Sequence, residues 1–333
     1  MKGKITIKDI AELAGTSKTT VSFYLNGKTD KMSDETKQKI EQVIEETNYQ
    51  PSIVARSLNS KGSKLLGVLI GDITNTFSNQ IVKGIEDIAA KNGYQIIVGN
   101  SNYDSDREGN YIERMLSMGV DGFIIQPTAK FRRVSKKIEE RGKPMVYFDS
   151  KVYDHKTKWV KTNNYEATYE ATLSCIKKGY QKFILIMADP NLLSTRMERA
   201  TGYIDALVDY DYDYETLTIE NDKVDPQLIK EFVKKHLDTE VNTLIFVPNC
   251  WALPVVSAAL KDLRNLMPKL GLMGFDNTEW TNFTSPSITT IVQPAYEEGQ
   301  QAARILIDQI EGTNLEPAQQ VLECTVNWNE STL

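Results

Sequence analysis

Amide, carboxylate, guanidinium and aromatic side chains stand at the carboxyl ends of apolar, strand-like runs: Asn75, Phe77, Gln126, Asp149, Asn163, Asn164, Arg199, Asn249, Asp276 and Trp280. This mixture binds polyhydroxylated molecules, because carboxylates and amides exchange hydrogen bonds with hydroxyls while an aromatic ring covers an apolar face. It is poor material for covalent chemistry. The chain has no GxGxxG after its first apolar run, no GxxxxGK[ST], no GxSxG and no HExxH. Its two histidines, His155 and His236, have no partner at metal-ligand spacing. Cys175, Cys250 and Cys324 are odd in number, widely spaced and free of any CxxC pairing, so they read as thiols rather than a disulfide framework or a zinc site. Glu297 and Glu298 read as a solvated helix face rather than an acid/base pair. The expectation is binding, with no catalytic residue, metal or cofactor. Plainer roles exist for individual residues: Asp276 could cap a helix, Arg199 could pair with an acid and Trp280 could be core.

Such strand ends need sheets to position them. Apolar runs at 65–71, 94–99, 120–126 and 144–149 alternate with amphipathic segments near 77–92, 106–118 and 131–141. A second series has runs at 182–188, 243–248 and 269–276, with helical segments near 164–178, 195–209, 225–237 and 251–264. Repeated βα units predict two doubly wound parallel sheets, which carry ligands at the carboxyl ends of their strands. No run of about 18 apolar residues is present to span a bilayer. The start, MKGKITIKDI, has charges without an apolar stretch or cleavage site, which predicts a cytoplasmic protein with no membrane partner.

The first sixty residues are organised differently. Thr6 precedes IKDIAELA, with Ile7, Ile10, Ala11 and Leu13/Ala14 at helical spacing and Asp9 placed for a capping box. Gly15 and Ser17 then separate this helix from KTTVSFYL, which ends at Asn26-Gly27, and Ser33 caps a third helix with Ile40, Val43 and Ile44 as its stripe. The pattern fits a helix-turn-helix and, equally, an ordinary three-helix bundle. Residues 49–58, YQPSIVARSL, add a short proline-started helix that is too short to be stable alone in water. Residues 59–64, NSKGSK, read as a linker. The net charge of −6 is unevenly spread: residues 1–64 hold 11 Lys and Arg against 8 Asp and Glu, and the remainder holds 28 against 37. A basic head on an acidic body fits a nucleic-acid-binding unit.

TIKDIAELAGTSKTTVSFYLNG and NYQPSIVARSL resemble the opening of LacI/GalR transcriptional repressors, TIKDIAxxAGVSxxTVSxxLNG and NYxPxxxARSL, at the spacing that family uses. DITNTFSNQIVKGIEDIAAKNGY, TRMERATGYIDAL, GFDNTEW and SPSITTIVQPAYEEGQQAARIL extend the resemblance over nearly the whole body. The resemblance implies an all-α helix-turn-helix head on a periplasmic-binding-protein-like α/β body of two subdomains. It places a DNA-binding domain at 1–50, a hinge helix and linker at 51–64, and an effector-binding and dimerisation domain at 65–333. Within that domain, one subdomain covers about 65–161 and 292–320 and the other about 162–291 and 321–333. The implied partners are a pseudo-palindromic double-stranded DNA operator, a sugar-like effector and a second copy of the chain. By position, Lys18, Thr19 and Phe23 face bases in the major groove. Ala55, Arg56 and Leu58 enter the minor groove, Leu58 as a wedge between base steps. Ser17, Ser22, Asn26, Ser33, Tyr49 and Ser52 contact phosphates. Phe23 stands where relatives have a hydrogen-bonding residue, so it packs on thymine methyls or shields the head's core.

In the body, Arg199, Asn249 and Asp276 carry over as the strongest effector contacts and Phe77 as the stacking residue. Two departures bear on the ligand: Ser150 follows Asp149 where relatives have Arg, and Cys250 follows Asn249 where they have Asp. Both remove a charged hydroxyl-binding group. A sugar acid paired with Arg196 or Arg199 becomes attractive, because arginine takes a carboxylate bidentately. SFYLNGK, GDITN and GFDNTEW also resemble regulators of ketodeoxygluconate or pectin-derived uronate use in Gram-positive bacteria. A sugar-binding protein without a DNA role would share the body alone, and a sugar-modifying enzyme would need a reactive group that no motif supplies.

Overall fold

A computed structural model describes residues 5–25, 27–49, 62–150, 157–220, 224–313 and 318–333, which fall into two units, 1–63 and 64–333. Asn26, Ser52, Ala55, Arg56 and Leu58 lie outside the described residues.

The first unit holds α1 (Ile7–Leu13), α2 (Lys18–Leu25) and α3 (Asp34–Thr47). Asp9 Oδ2 accepts both the backbone N–H and the hydroxyl of Thr6 at 2.7 Å, closing the first turn of α1. Gly15, at φ 64°, makes the turn into α2, where a side chain at Cβ would be strained. Ser17 Oγ accepts Thr20 N at 3.1 Å and Ser33 Oγ accepts Thr36 N at 3.3 Å, so each serine satisfies an end donor of its helix. Ile10, Ala11, Ala14, Val21 and Ile40 form the core. Of the Leu13/Ala14 pair only Ala14 goes inward, and Leu13 is 62% exposed.

The second unit runs β1 (Leu65–Ile70), α4 (Thr76–Lys91), β2 (Gln95–Asn100), α5 (Ser105–Ser117), β3 (Gly122–Ile125), α6 (Arg132–Glu140), β4 (Met145–Phe148) and β5 (Lys158–Thr162). It continues with α7 (Asn164–Lys177), β6 (Tyr180–Met187), α8 (Ser194–Val208), β7 (Tyr214–Thr218), α9 (Pro226–His236) and β8 (Asn242–Val247). Then come α10 (Leu253–Ala259), β9 (Leu270–Phe275), α11 (Thr278–Thr281), β10 (Thr289–Val292), α12 (Ala295–Glu311), β11 (Gln319–Leu322) and β12 (Thr325–Asn327). One six-stranded sheet has the order β2-β1-β3-β4-β5-β11 and the other β7-β6-β8-β9-β10-β12. Apart from the last strand, which is parallel in the first sheet and antiparallel in the second, the two orders are the same. The inner strands are apolar throughout because helices cover both faces: Val68, Ile124 and Val146 meet α4 and α12, while Phe123, Ile125 and Tyr147 meet α5 and α6.

The chain crosses between the sheets after Thr162, after Val292 and after Leu322. The last crossing comes later than the expected 320/321 boundary, because β11 stays paired with β5 through Val321 and Leu322. Helices α4 and α12 touch through glycine. A Cβ on Gly84 would lie 2.1 Å from Tyr296 O, and one on Gly299 would lie 2.2 Å from Ile81 O. That contact draws the start of α12 in beside the ends of the first sheet. Among the described residues, no helix is long and apolar enough to cross a membrane.

Candidate functional site

Two sheets of one strand order present equivalent strand ends. Gln126 follows β3, and its Oε1 accepts the N–H of Gly71, just past β1, at 2.8 Å. Asn249 lies just past β8, and its Oδ1 accepts the N–H of Ala188, just past β6, at 2.8 Å. Asp149 ends β4 at φ 60° and Asp276 ends β9 at φ 53°, both left-handed. Their N–H groups reach the next strand, Asp149 to Val160 O at 3.1 Å and Asp276 to Ile291 O at 2.8 Å. Each subdomain therefore contributes an amide with its oxygen locked by backbone at the point where strand order reverses, and an aspartate on a tight turn one strand further on.

These groups line one cavity of about 40 Å³ together with Asn75, Phe77, Tyr103, Leu193, Thr195, Arg196, Arg199, Cys250, Trp251 and Gln293. Tyr103, Arg196 and Trp251 also line a groove of about 770 Å³ outside it, so they stand between the two spaces. Several bonds cross the cleft: Asn75 Nδ2 donates to Cys250 Sγ at 3.2 Å, Thr76 Oγ1 to Glu279 Oε1 at 2.9 Å, and the Ser150 and Thr195 hydroxyls lie 3.4 Å apart.

Arg199 is held from behind. Its Nε donates to Asn164 Oδ1 at 2.6 Å, one Nη to Pro248 O at 2.9 Å, and the guanidinium lies 3.8 Å from the Phe275 ring centroid. Arg196 donates to Asp189 O at 3.3 Å and covers the Tyr103 ring at 5.7 Å. Burial works against its charge and lowers its pKa. Burial likewise raises the pKa of both Asp149 and Asp276, with the Arg199 charge opposing it in each case. Asp276 accepts Gln293 N at 3.0 Å and Gln293 Nε2 at 2.7 Å, and Asp149 accepts Gln126 Nε2 at 2.7 Å. The Cys250 thiol is pushed up to about 11 by burial, so it is no thiolate at neutral pH.

Asn75, Phe77, Gln126, Asp149, Arg196, Arg199, Asn249 and Asp276, all expected at the effector site from sequence, line this cavity. Asn163 and Trp280 do not. Asn163 instead ties chain crossings together: its Oδ1 accepts Cys324 N at 2.7 Å and its amide donates to Glu323. Trp280 packs on the apolar cluster of Leu253, Val256 and Ile288, because one-turn α11 folds back on the second subdomain. Glu298, expected on a solvated face beside Glu297, is buried. Consecutive helix positions differ by about 100°, and the α4 contact decides which of the two turns inward. Tyr103, Thr195, Trp251 and Gln293 escaped the sequence reading. Tyr103 could have been sought from Gly71, whose missing side chain admits the tyrosine ring: a Cβ there would lie 2.1 Å from it.

In the first unit Ser17, Lys18 and Thr19 are exposed at the start of α2, and no acidic residue stands in that first turn to repel a phosphate. Ser22 and Phe23 are half-buried and Ser33 is exposed. Phe23 lies outside the core, with Lys31 Nζ 5.2 Å from its ring centroid, and Tyr24 is the aromatic of α2 that packs inward. Tyr49 also leans on that core.

Comparison with known proteins agrees with both units. Residues 6–52 match the family described as bacterial regulatory proteins, lacI family, and residues 66–314 match the periplasmic binding protein domain. The chain is 32% identical over 333 residues to the HTH-type transcriptional regulator KdgR of Bacillus subtilis, covering 99% of this chain and 98% of that one. Its fold superposes on the Lac repressor dimer bound to operator and the anti-inducer ONPF with a TM-score of 0.81, at 22% identity over 99% of this chain and 100% of that one. A LacI family transcriptional regulator from Enterococcus faecium with bound ribose matches at a TM-score of 0.70 and 26% identity, over 80% of this chain and 98% of that one. With a helix-turn-helix head, a body of two like-ordered sheets and full-length likeness to such a regulator, the chain belongs to the LacI family of bacterial DNA-binding transcriptional regulators.

Proposed function

We propose that the protein is a cytoplasmic homodimeric repressor whose operator affinity is set by a sugar or sugar acid held between the subdomains of its body. The observation that carries this reading is the repeated amide and aspartate pair, Gln126 with Asp149 and Asn249 with Asp276, converging with Arg199 on one cavity. Amides with their oxygens held by backbone N–H groups, and carboxylates held by Gln126 and Gln293, suit vicinal hydroxyls, and Phe77 supplies an apolar face. Arg196 and Arg199 favour a carboxylate on the ligand. The ribose bound by the Enterococcus relative supports the sugar class. A cavity of about 40 Å³ is far smaller than the roughly 300 Å³ at the low end of ligand pockets, so the subdomains must part to admit a sugar. A ligand that favours one arrangement of the subdomains shifts the balance only by its difference in affinity for the two states.

On DNA, Lys18 donates to guanine O6 or N7, Thr19 contacts a base or thymine methyl, and Phe23 packs on thymine methyls. Ser17, Ser22, Asn26, Ser33, Tyr49 and Ser52 fix register on phosphates, and Ala55, Arg56 and Leu58 of paired hinges enter the minor groove. Two experiments test the reading. Calorimetric titration with ketodeoxygluconate, galactose and phosphorylated sugars should give heat with the first, and its absence there counts against a sugar acid. A gel shift on pseudo-palindromic DNA upstream of the gene should show binding that Leu58→Ala weakens strongly, and equal affinity in that variant removes the hinge assignment.

A further inference from the structure

The inward face of α12 is made of Ala295, Ala302, Ala303 and Leu306, with one carboxylic acid among them, Glu298, fully buried. Its Oε1 accepts the backbone N–H of Asp149 at 2.6 Å, the same N–H that reaches Val160 O at 3.1 Å. Its Oε2 has no partner among the described residues. The ionisable groups that act on this pair are Asp149 from the end of β4, Asp276 from the end of β9, Glu198 and Arg199 from α8, and Cys324 from beyond β11. Arg199 is the cation among them, and two of its nitrogens are committed to Asn164 and Pro248. Among the described residues Glu298 forms no salt bridge.

A carboxylate with one bare oxygen, out of water and beside a second carboxylate, is among the costliest arrangements a protein can hold, and the neutral acid removes most of that cost. We propose that Glu298 is a positioning residue of the effector site: as a neutral acid it holds the N–H of Asp149 and so keeps the Asp149 carboxylate beside Gln126 at the cavity wall. Burial, and then the Asp149 charge, push the Glu298 carboxyl well above the ordinary carboxylate range, and burial pushes Asp149 upward too. The direction sets the sign of the pH effect. A folded-state pKa raised above the unfolded value contributes stability that is fully present below about 4.3. That stability is lost as pH rises toward the folded-state pKa, where the site must take a second charge or release Asp149.

The inference rests on the cleft being the effector site only for its binding readout, so the test has two arms. In the first, the full-length wild type, Glu298→Gln and Glu298→Leu are melted between pH 4.5 and 8.5 without ligand. Glutamine keeps the acceptor for Asp149 N–H without the proton, whereas leucine fills the space without an acceptor. The glutamine variant should melt above wild type at pH 8.5, by roughly 2–4 °C for each factor of five or so in folding equilibrium, and the two curves should converge toward pH 4.5. Leucine should melt below glutamine at every pH. Parallel wild-type and glutamine curves overturn the proposal. In the second arm, calorimetry with ketodeoxygluconate at pH 6 and 8.5 should show wild-type affinity falling by about tenfold for each unit of pH traversed above the folded-state pKa, and the glutamine variant should lose that dependence. A leucine variant that binds as tightly as wild type at pH 6 overturns the positioning role, because leucine offers Asp149 N–H no acceptor. No heat at either pH, together with converging melting curves, sinks the sugar-acid reading and leaves the buried neutral acid standing.

Discussion

Asp149 and Asp276 hold the same station in two sheets of the same strand order, yet their hydrogen-bond partners differ. Both end a fourth strand on a left-handed turn and both send their N–H to the fifth strand. Asp276 then receives two donors from Gln293, one on each oxygen. Asp149 receives one donor, from Gln126, and has an acid behind it. Hydrogen bonds to the charged form of a carboxylate favour ionisation, and a neighbouring acid opposes it. Burial raises the pKa of both aspartates, and the repeat opposes it with two donors at Asp276 and with one at Asp149. Two similar halves can thus give an asymmetric ligand two dissimilar contacts.

The comparison breaks most severely at Asp276. Replacing it with alanine strands both Gln293 donors and removes one of the buried carboxylates whose charge Arg199 opposes, so we expect a stability loss of about 3 kcal/mol and no measurable effector response. Urea unfolding of the full chain and calorimetry measure the two effects. A loss below about 1 kcal/mol would show that Gln293 finds other partners. Next in size is the contrast between the amides. Gln126→Leu strands Gly71 N–H and frees Asp149, whereas Asn249→Leu strands Ala188 N–H and leaves the Asp276 bonds intact. We expect about 2–3 kcal/mol for the first and about 1–2 for the second, from the cost of unpaired buried donors. Equal costs would mean that Gln126 contributes nothing through Asp149. The pH arm sharpens the contrast further. Asp149→Asn removes the like-charge neighbour of Glu298, so its melting temperature should fall less steeply from pH 4.5 to 8.5 than that of wild type, and a slope as steep as wild type would separate the two acids.

The parts of this arrangement that sequence reveals are those with a one-dimensional signature. Strands buried on both faces, such as Leu65–Ile70 and Leu270–Phe275, announce themselves as apolar runs, and the polar residue ending each run marks the cleft. Asp149, Gln126 and Asp276 were legible for that reason. Short strands such as Lys158–Thr162 and Gln319–Leu322 have no such run, so the crossings they lead into, and Asn163 with them, could not be told from cavity wall. Glu297 and Glu298 differ only in rotation about a helix, and what sets the rotation is the contact of Gly84 and Gly299 between helices some two hundred residues apart in the chain. Likewise, the one-turn helix that carries Trp280 offers too few residues for a buried face to show as a period.

The smallest effect tests the boundary of the site. Trp280 follows Asp276 by four residues, and from sequence the two look like neighbours at one ligand. In the fold they part: Asp276 ends its strand at the cavity, while Trp280 lies half-buried against the apolar cluster that includes Leu253, Val256 and Ile288. Phenylalanine there keeps most of the apolar contact and loses only the outer ring, so Trp280→Phe should cost about 1 kcal/mol or less in unfolding. Because none of its atoms lines the cavity, effector affinity should change by less than twofold, within the range of roughly 0.4 kcal/mol expected for a substitution that leaves the contacts alone. A tenfold loss with unaltered stability would move Trp280 back to the ligand and show that the parted subdomains bring it to the cavity wall.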